Sequence, residues 1–153
     1  MTFNLRLDLS AFDHDIDETA EEVEAAARPA AQAMAQVMYD EVNRNVAKLG
    51  KKTGNLASAI YQAYSRDASS EGVAVYHVSW NAKKAPHGHL VEFGHLQKYK
   101  VYLKDGKWYT LKGEPLDIPK HVAATPFIRP SLSKSAQAQE AGEAEFLRRI
   151  NLA

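Results

Sequence analysis

The stretch PHGHLVEFGH, Pro86 to His95, decides how the rest of the chain is read. It holds three histidines, one carboxylate, three large apolar residues and two glycines in ten positions. Leu90, Val91 and Phe93 can anchor a short segment in a core, and Gly88 and Gly94 allow positive φ on either side of it. The stretch therefore reads as a pinned turn or a single helical turn. Glu92, between Val91 and Phe93, is drawn close to buried surface, where an ionised carboxylate needs a partner. A basic group from elsewhere in the chain is expected to meet it. A competing chemistry is a metal site, because His87, His89 and His95 supply imidazole nitrogen suited to Zn²⁺. No cysteine joins them and the ligand spacing of structural zinc is missing, so no metal or other cofactor is assigned.

The whole chain, 153 residues and 17.0 kDa, reads as one domain over 1–153, long enough to bury about 70% of its unfolded surface. Lys plus Arg equal Asp plus Glu at 19 each, so no global charge drives binding to nucleic acid or an anionic membrane. The lack of cysteine excludes disulfides and fits a reducing compartment. No apolar run approaches the roughly 18 residues of a membrane span, and Met1 to Ser10 does not resemble a secretory signal. A soluble protein, cytosolic when made, is expected.

Working outward toward the N-terminus, Asn81 to Ala85 is a basic loop. Before it, Ile60 to Arg66 and Gly72 to Trp80 alternate with period two around DASSE, which predicts an antiparallel pair. Lys51 to Ile60 suggests a short helical turn capped by Thr53 or Asn55, with Leu56 and Ile60 pointing inward. From Ile16 to Leu49 the apolar positions step by three and four through Ala20, Val23, Ala27, Ala30, Met34, Val37, Met38, Val42 and Val46. Pro29 predicts a kink or break at Arg28, and Gly50 fits the C′ position. The alanine-rich stripe suits close packing in the subunit's own core or against another copy, and core packing is the simpler reading. Asp13 to Asp17 is an acidic break in which Asp15 and Glu18 have capping-box spacing. Residues 2–12 alternate as a half-buried strand, with Phe3, Leu5, Leu7 and Leu9 on one side.

Toward the C-terminus, Tyr99 to Lys112 is a β-hairpin turned by Asp105-Gly106. Lys98, Lys100, Lys104, Lys107 and Lys112 alternate along it with Tyr102, Trp108 and Tyr109. Lysines of this kind protect an exposed edge or contact a partner. Gly113 to Thr125 reads as extended connection, and Thr125 to Leu132 as a cap and prolines opening a helix over Ser133 to Leu152. Only Phe146, Leu147 and Ile150 give that helix a firm apolar end. His14, His77 and His121 stand alone and read as structural or exposed. No G-x-S-x-G, P-loop, H-E-x-x-H or G-x-G-x-x-G occurs, so no catalytic apparatus is visible.

Three segments now stand in order: TGNLASAI at 53–60, HLVEFGH at 89–95 and TPFIRPSL at 125–132. With a long helix before them and a helix after, they resemble the tail-completion, or head-tail joining (neck), family of long-tailed double-stranded DNA phages, of the lambdoid minor tail protein type. Its members carry T-G-x-L-x-x-S-I, V-E-F-G-T and P-F-L-R-P-A-L. The resemblance covers about residues 16 to 150. Gly54, Leu56 and Ile60 match the first motif, Val91, Glu92, Phe93 and Gly94 the second, and Pro126, Phe127, Arg129 and Pro130 the third.

The resemblance implies an α+β fold, with a long kinked N-terminal helix packed on an antiparallel β-sheet and a C-terminal helix. It implies no enzyme, but a structural virion protein forming a homo-oligomeric, sixfold ring that joins the head connector to the tail tube. Implied partners are a head-side connector or stopper protein and a tail terminator or tail-tube protein. DNA passes through the lumen without specific binding, and no membrane is involved. Acidic side chains such as Glu21, Glu22 and Glu24 would suit such a lumen. The implied location is the host cytoplasm during assembly and the neck or tail of the mature particle. The chain departs from the pattern at His95, where the family has Thr, and in the length between Gly94 and Pro126. That insertion holds the hairpin, an arm over 99–112 whose Lys100, Lys104, Lys107 and Trp108 are candidate partner contacts.

From the residues themselves, Arg129 is expected to meet Glu92 in a bidentate pair tying the corner to the last helix. Two rival functions are a nucleic-acid-binding module using the hairpin lysines with Lys51, Lys52, Lys83 and Lys84, and a metal-dependent hydrolase centred on His87, His89, Glu92 and His95.

Overall fold

The structure, a computed structural model, describes residues 2–8, 20–50 and 54–150. Its elements are β1 (Phe3–Asp8), α1 (Ala20–Lys48), a 3-10 turn (Ala57–Ala59), β2 (Ile60–Tyr64), β3 (Val73–Trp80), α2 (Gly88–Phe93), β4 (His95–Lys104), β5 (Lys107–Val122), a second 3-10 turn (Arg129–Lys134) and α3 (Ser135–Ile150). The class is α+β, as expected.

β3 is central in a three-stranded antiparallel sheet of order β1-β3-β2, with Phe3 opposite Val78 and Ile60 opposite Trp80. A central strand has no solvent edge, which fits its VAVYHVSW sequence and the burial of Ala74, Val75, Tyr76 and Val78. On β1 the alternation holds: Leu5 and Leu7 pack on the core while Asn4 and Arg6 are exposed. Leu9, the Asp13 to Asp17 break with its Asp15/Glu18 box, Lys51, Lys52 and Thr53 lie outside the described residues.

α1 lies across this sheet, and α3 packs along α1. The helix runs unbroken through Pro29, so the break considered at Arg28 does not occur. Ala26, Ala27, Ala30 and Ala31 are all buried around that point, and this packing offsets the hydrogen bond a proline removes. The buried arc is wider than the stripe read from sequence, because Ala26, Ala31 and Ala35 join Met38, Val42 and Val46. A helix covered by a sheet and by a second helix needs two apolar faces. The stripe is thus spent inside the subunit, and Gly50 ends the helix with φ +78°.

The turn before β2 takes shape with Leu56 half-buried and Ile60 buried, but its N-cap position is Leu56 and no capping side chain bonds there. α3 reaches α1 through small residues: Ala138 and Gly142 are buried, and a Cβ on Gly142 would sit 2.5 Å from Met34 Cγ. Phe146 and Ile150 are buried as expected, whereas Leu147 faces solvent.

The hairpin is longer than its sequence signal. β5 continues to Val122, so Gly113 to Thr125 is not a plain connection: His95, Leu96 and Gln97 pair with Val122, His121 and Lys120. Prolines in a two-stranded ribbon can turn toward open edges, which is why Pro115 and Pro119 did not stop the strand. The register slips on both sides of Tyr99, which faces Pro115. Asp105 and Gly106 both have positive φ, as a type I′ turn requires.

Candidate functional site

α2 is the helical turn expected at the decisive stretch, and its centre is Glu92, which is wholly buried. One carboxylate oxygen, Oε2, accepts hydrogen bonds from the backbone N–H groups of Phe127 (2.8 Å) and Ile128 (3.0 Å). The other, Oε1, accepts from the backbone N–H of Arg129 (3.1 Å) and from its Nε (3.2 Å). Nη2 of Arg129 donates instead to the backbone carbonyl of Glu92, at 2.7 Å. The expected meeting of Glu92 and Arg129 is present, but not as a bidentate carboxylate pair. Three main-chain amides at the start of the 3-10 turn Arg129–Lys134 do most of the holding, and the guanidinium straddles side chain and backbone.

The carboxylate therefore caps a helical turn from 35 residues earlier in the chain. Such ends leave N–H groups without partners and favour negative charge. Thr125 does not do this work; its own N–H donates to the carbonyl of Val91 at 2.8 Å, and the N-cap position, Ile128, has no side-chain cap of its own. Phe127 is the hub of the joint. Its ring is buried edge-on to Trp80 at 5.7 Å, its N–H goes to Glu92, and its carbonyl accepts from Asn45 Nδ2 of α1 at 3.2 Å. Asn45 escaped the sequence reading; its only signal is a polar residue beside Val42 and Val46 on the apolar arc.

The flanking residues divide. Val91 packs on the core, but Phe93 is 54% exposed and lies under the Arg129 guanidinium, 5.3 Å from ring centroid to Cζ. A carboxylate directed inward at Glu92 turns its neighbour outward, and Phe93 shields the ion pair from the solvent side. Gly94 has φ +72°, as expected, and a Cβ there would meet Val122 O at 2.7 Å. Gly88 has no positive φ. It is needed for room, because a Cβ would fall 2.4 Å from Trp80 Nε1.

Gly54, with φ +75°, and Ile60, buried, sit at the entrance to β2, while Pro126 and Pro130 flank the clamp. His87 and His89 are exposed. Among the described residues no three His, Asp or Glu side chains are grouped to hold a metal ion. Every oxygen of the Glu92 carboxylate is already engaged, so the hydrolase set of His87, His89, Glu92 and His95 is not assembled. Lys83 and Lys84 are exposed, their backbone N–H groups bound to Asn81 Oδ1.

The second feature is the β4–β5 ribbon. Residues 98–110 are all exposed, including Val101, Tyr102, Leu103, Trp108 and Tyr109. Tyr102 and Tyr109 stack at 5.4 Å, and Lys100 pairs with Glu114 at 3.0 Å. At the far end of α3, Arg148 and Arg149 hydrogen-bond Glu145 and hold its carboxyl at about 2, below the ordinary 4.5, while the Arg148 pKa is raised in return.

A helix on a three-stranded antiparallel sheet, tied by a buried carboxylate and extended by an exposed ribbon, defines an α+β domain whose polar machinery serves architecture. Residues 10–94 match the family described as "Bacteriophage HK97-gp10, putative tail-component". That span is more than half of the chain, and the protein belongs to this HK97-gp10-like family of phage tail components. No curated protein and no solved structure matches the chain. The match contains the first two motifs and ends at Gly94, where the ribbon begins. Among the described residues no helix is long and apolar enough to cross a membrane.

Proposed function

We propose that this tail component is a tail-completion subunit of the phage neck. Copies form a homo-oligomeric, hexameric ring around the DNA channel, between a head-side connector or stopper protein and the tail terminator or tail tube. It works by binding through large interfaces, with no chemical step. The observation that carries this reading is the ribbon. A two-stranded hairpin alone in water is marginally stable at best, and contiguous exposed apolar side chains mark interaction surfaces. Its ten-residue β4 is long enough to project roughly 33 Å at about 3.3 Å per residue, the reach of an arm onto a neighbouring molecule.

In this reading the residues of the three motifs, from Gly54 through Glu92 to Arg129 and Pro130, hold the body rigid. Lys100, Lys104, Lys107 and Trp108 make the contacts. Assembly proceeds in the host cytoplasm and ends in the virion neck. The mass of the purified protein in solution, alone and mixed with isolated tail tubes, tests it. A ring, formed either alone or on the tubes, is expected; a monomer that ignores the tubes would overturn the proposal.

A further inference from the structure

The ribbon's register sorts its side chains onto two faces. Lys100 lies opposite Leu111, Tyr102 opposite Tyr109 and Lys104 opposite Lys107, and these six share one face because residues two apart on a strand point the same way. Val101 and Leu103 lie on the other. Three lysines thus surround the stacked tyrosine pair, on a stretch in which residues 98–110 are all exposed. Lys100 pairs with Glu114 at 3.0 Å, but among the described residues neither Lys104 nor Lys107 has an ion-pair partner. The Asp105-Gly106 turn nevertheless sets these two ammonium groups across from each other, and like charges directly opposite on a strand pair destabilise it. Protection of a strand edge does not require that arrangement; an anion bound between the two lysines relieves it.

The charge is concentrated here. Residues 98–112 hold five Lys and the single Asp105, a net +4 in a chain whose total is zero, so the other residues together carry −4. The anion that fits is extended and regularly charged. Lys is depleted from the cores of protein interfaces, whereas lysines, tyrosine hydroxyls and backbone N–H groups are the ordinary donors to phosphate oxygens. Lys100 and Lys104 are four residues apart, about 13 Å along the strand, which matches the rise of about four phosphates on one strand of a duplex. The major groove, about 12 Å wide, admits a two-stranded ribbon. Tyr102 and Tyr109 already stack on each other, which makes them a poor platform for unpaired bases.

We infer that the Lys100, Lys104 and Lys107 face of the ribbon is a binding site for the phosphate backbone of duplex DNA, independent of base sequence. This divides the arm between two ligands: the face with Val101 and Leu103 remains for protein, and the lysine face takes phosphate. The inference goes beyond the ring reading and does not depend on it. In a ring of such subunits, two or three phosphate contacts from each copy would hold the DNA by weak, exchangeable bonds.

Fluorescence anisotropy of the full-length protein with short labelled duplexes of two unrelated sequences tests the site. Both are expected to bind alike, with log K falling against log salt at a slope of about −2 to −3 between about 50 and 200 mM, as for two or three neutralised phosphates. K104E/K107E keeps like charges opposed across the turn, so the ribbon's internal balance is unchanged; it is expected to lose about tenfold or more in affinity at about 50 mM salt, while K104R/K107R binds as the wild type does. K83E/K84E makes the same change in net charge at exposed lysines outside the ribbon and is expected to leave the affinity unchanged. Matching thermal melts show that the variants are folded. Wild-type protein that ignores duplex DNA at about 50 mM salt overturns the inference, as does equal loss in K104E/K107E and K83E/K84E, which would mean that net charge alone governs binding. Tighter binding to single strands than to duplex also overturns it. Capture by isolated tail tubes that K104E/K107E abolishes, with no affinity for DNA, would assign the lysine face to an acidic protein surface instead. A monomer that binds duplex DNA in the expected way removes the ring and leaves this site standing; a ring that ignores DNA does the reverse.

Discussion

Replacing Glu92 with alanine would remove the acceptor for four N–H groups at once. Two of them, the backbone amides of Phe127 and Ile128, are buried and have no water to turn to. At about 1–3 kcal/mol for each buried donor left without a partner, the loss is about 2–6 kcal/mol, a large fraction of the 5–15 kcal/mol that holds a typical domain folded. Arg129→Ala leaves the three main-chain donors in place and removes the Nε and Nη2 hydrogen bonds together with the guanidinium's contact with the exposed Phe93 ring. Its side chain is 42% exposed, so water replaces part of what is lost and the expected cost is about 1 kcal/mol. Glu92→Gln keeps one oxygen but turns an N–H donor toward other donors, and should fall between the two, at about 2 kcal/mol or more. Urea unfolding followed by circular dichroism, extrapolated linearly to water, gives the three values. If Arg129→Ala costs as much as Glu92→Ala, the guanidinium and not the main-chain amides holds the carboxylate, and the capping argument is refuted.

Two further outcomes are expected. Gly88→Ala places a methyl group against the flat Trp80 indole, 2.4–2.8 Å from its atoms, and should destabilise by about 1–3 kcal/mol with a shift in tryptophan emission; an unchanged melt would mean the ring moves freely. For Glu145, the folded pKa of about 2 lies below the unfolded 4.5. Its contribution to stability is therefore complete above pH 4.5 and lost as pH falls toward 2. Carboxyl-carbon NMR should show Glu145 ionised to about pH 2 in the wild type and titrating closer to 4.5 in Arg148→Ala.

Much of the molecule is set by local pattern. The period-two runs of β2 and β3, the three-and-four spacing of α1, and the Asp105-Gly106 turn each place the backbone through residues close in sequence, and each appears where the pattern puts it. The need of Glu92 for a partner also follows from its apolar neighbours. Its location in a PHGHLVEFGH turn was enough to foresee burial, and the fixed Arg129 was enough to nominate a cation.

Tertiary structure decided the rest. A carboxylate cannot show in sequence which N–H groups will face it; that the end of a 3-10 turn and not a guanidinium fork holds Glu92 depends on how α2 and the Arg129–Lys134 turn are brought together over Phe127 and Asn45. The same applies to Gly88, whose role is the space taken by Trp80, and to Pro29, whose local cost is met by burial of the surrounding turns. The length of the ribbon, too, came from pairing across a register slip that turn residues do not report. Nearest-neighbour stereochemistry travels with the sequence, whereas hydrogen-bond partners and free volume belong to segments that meet only after the chain has folded.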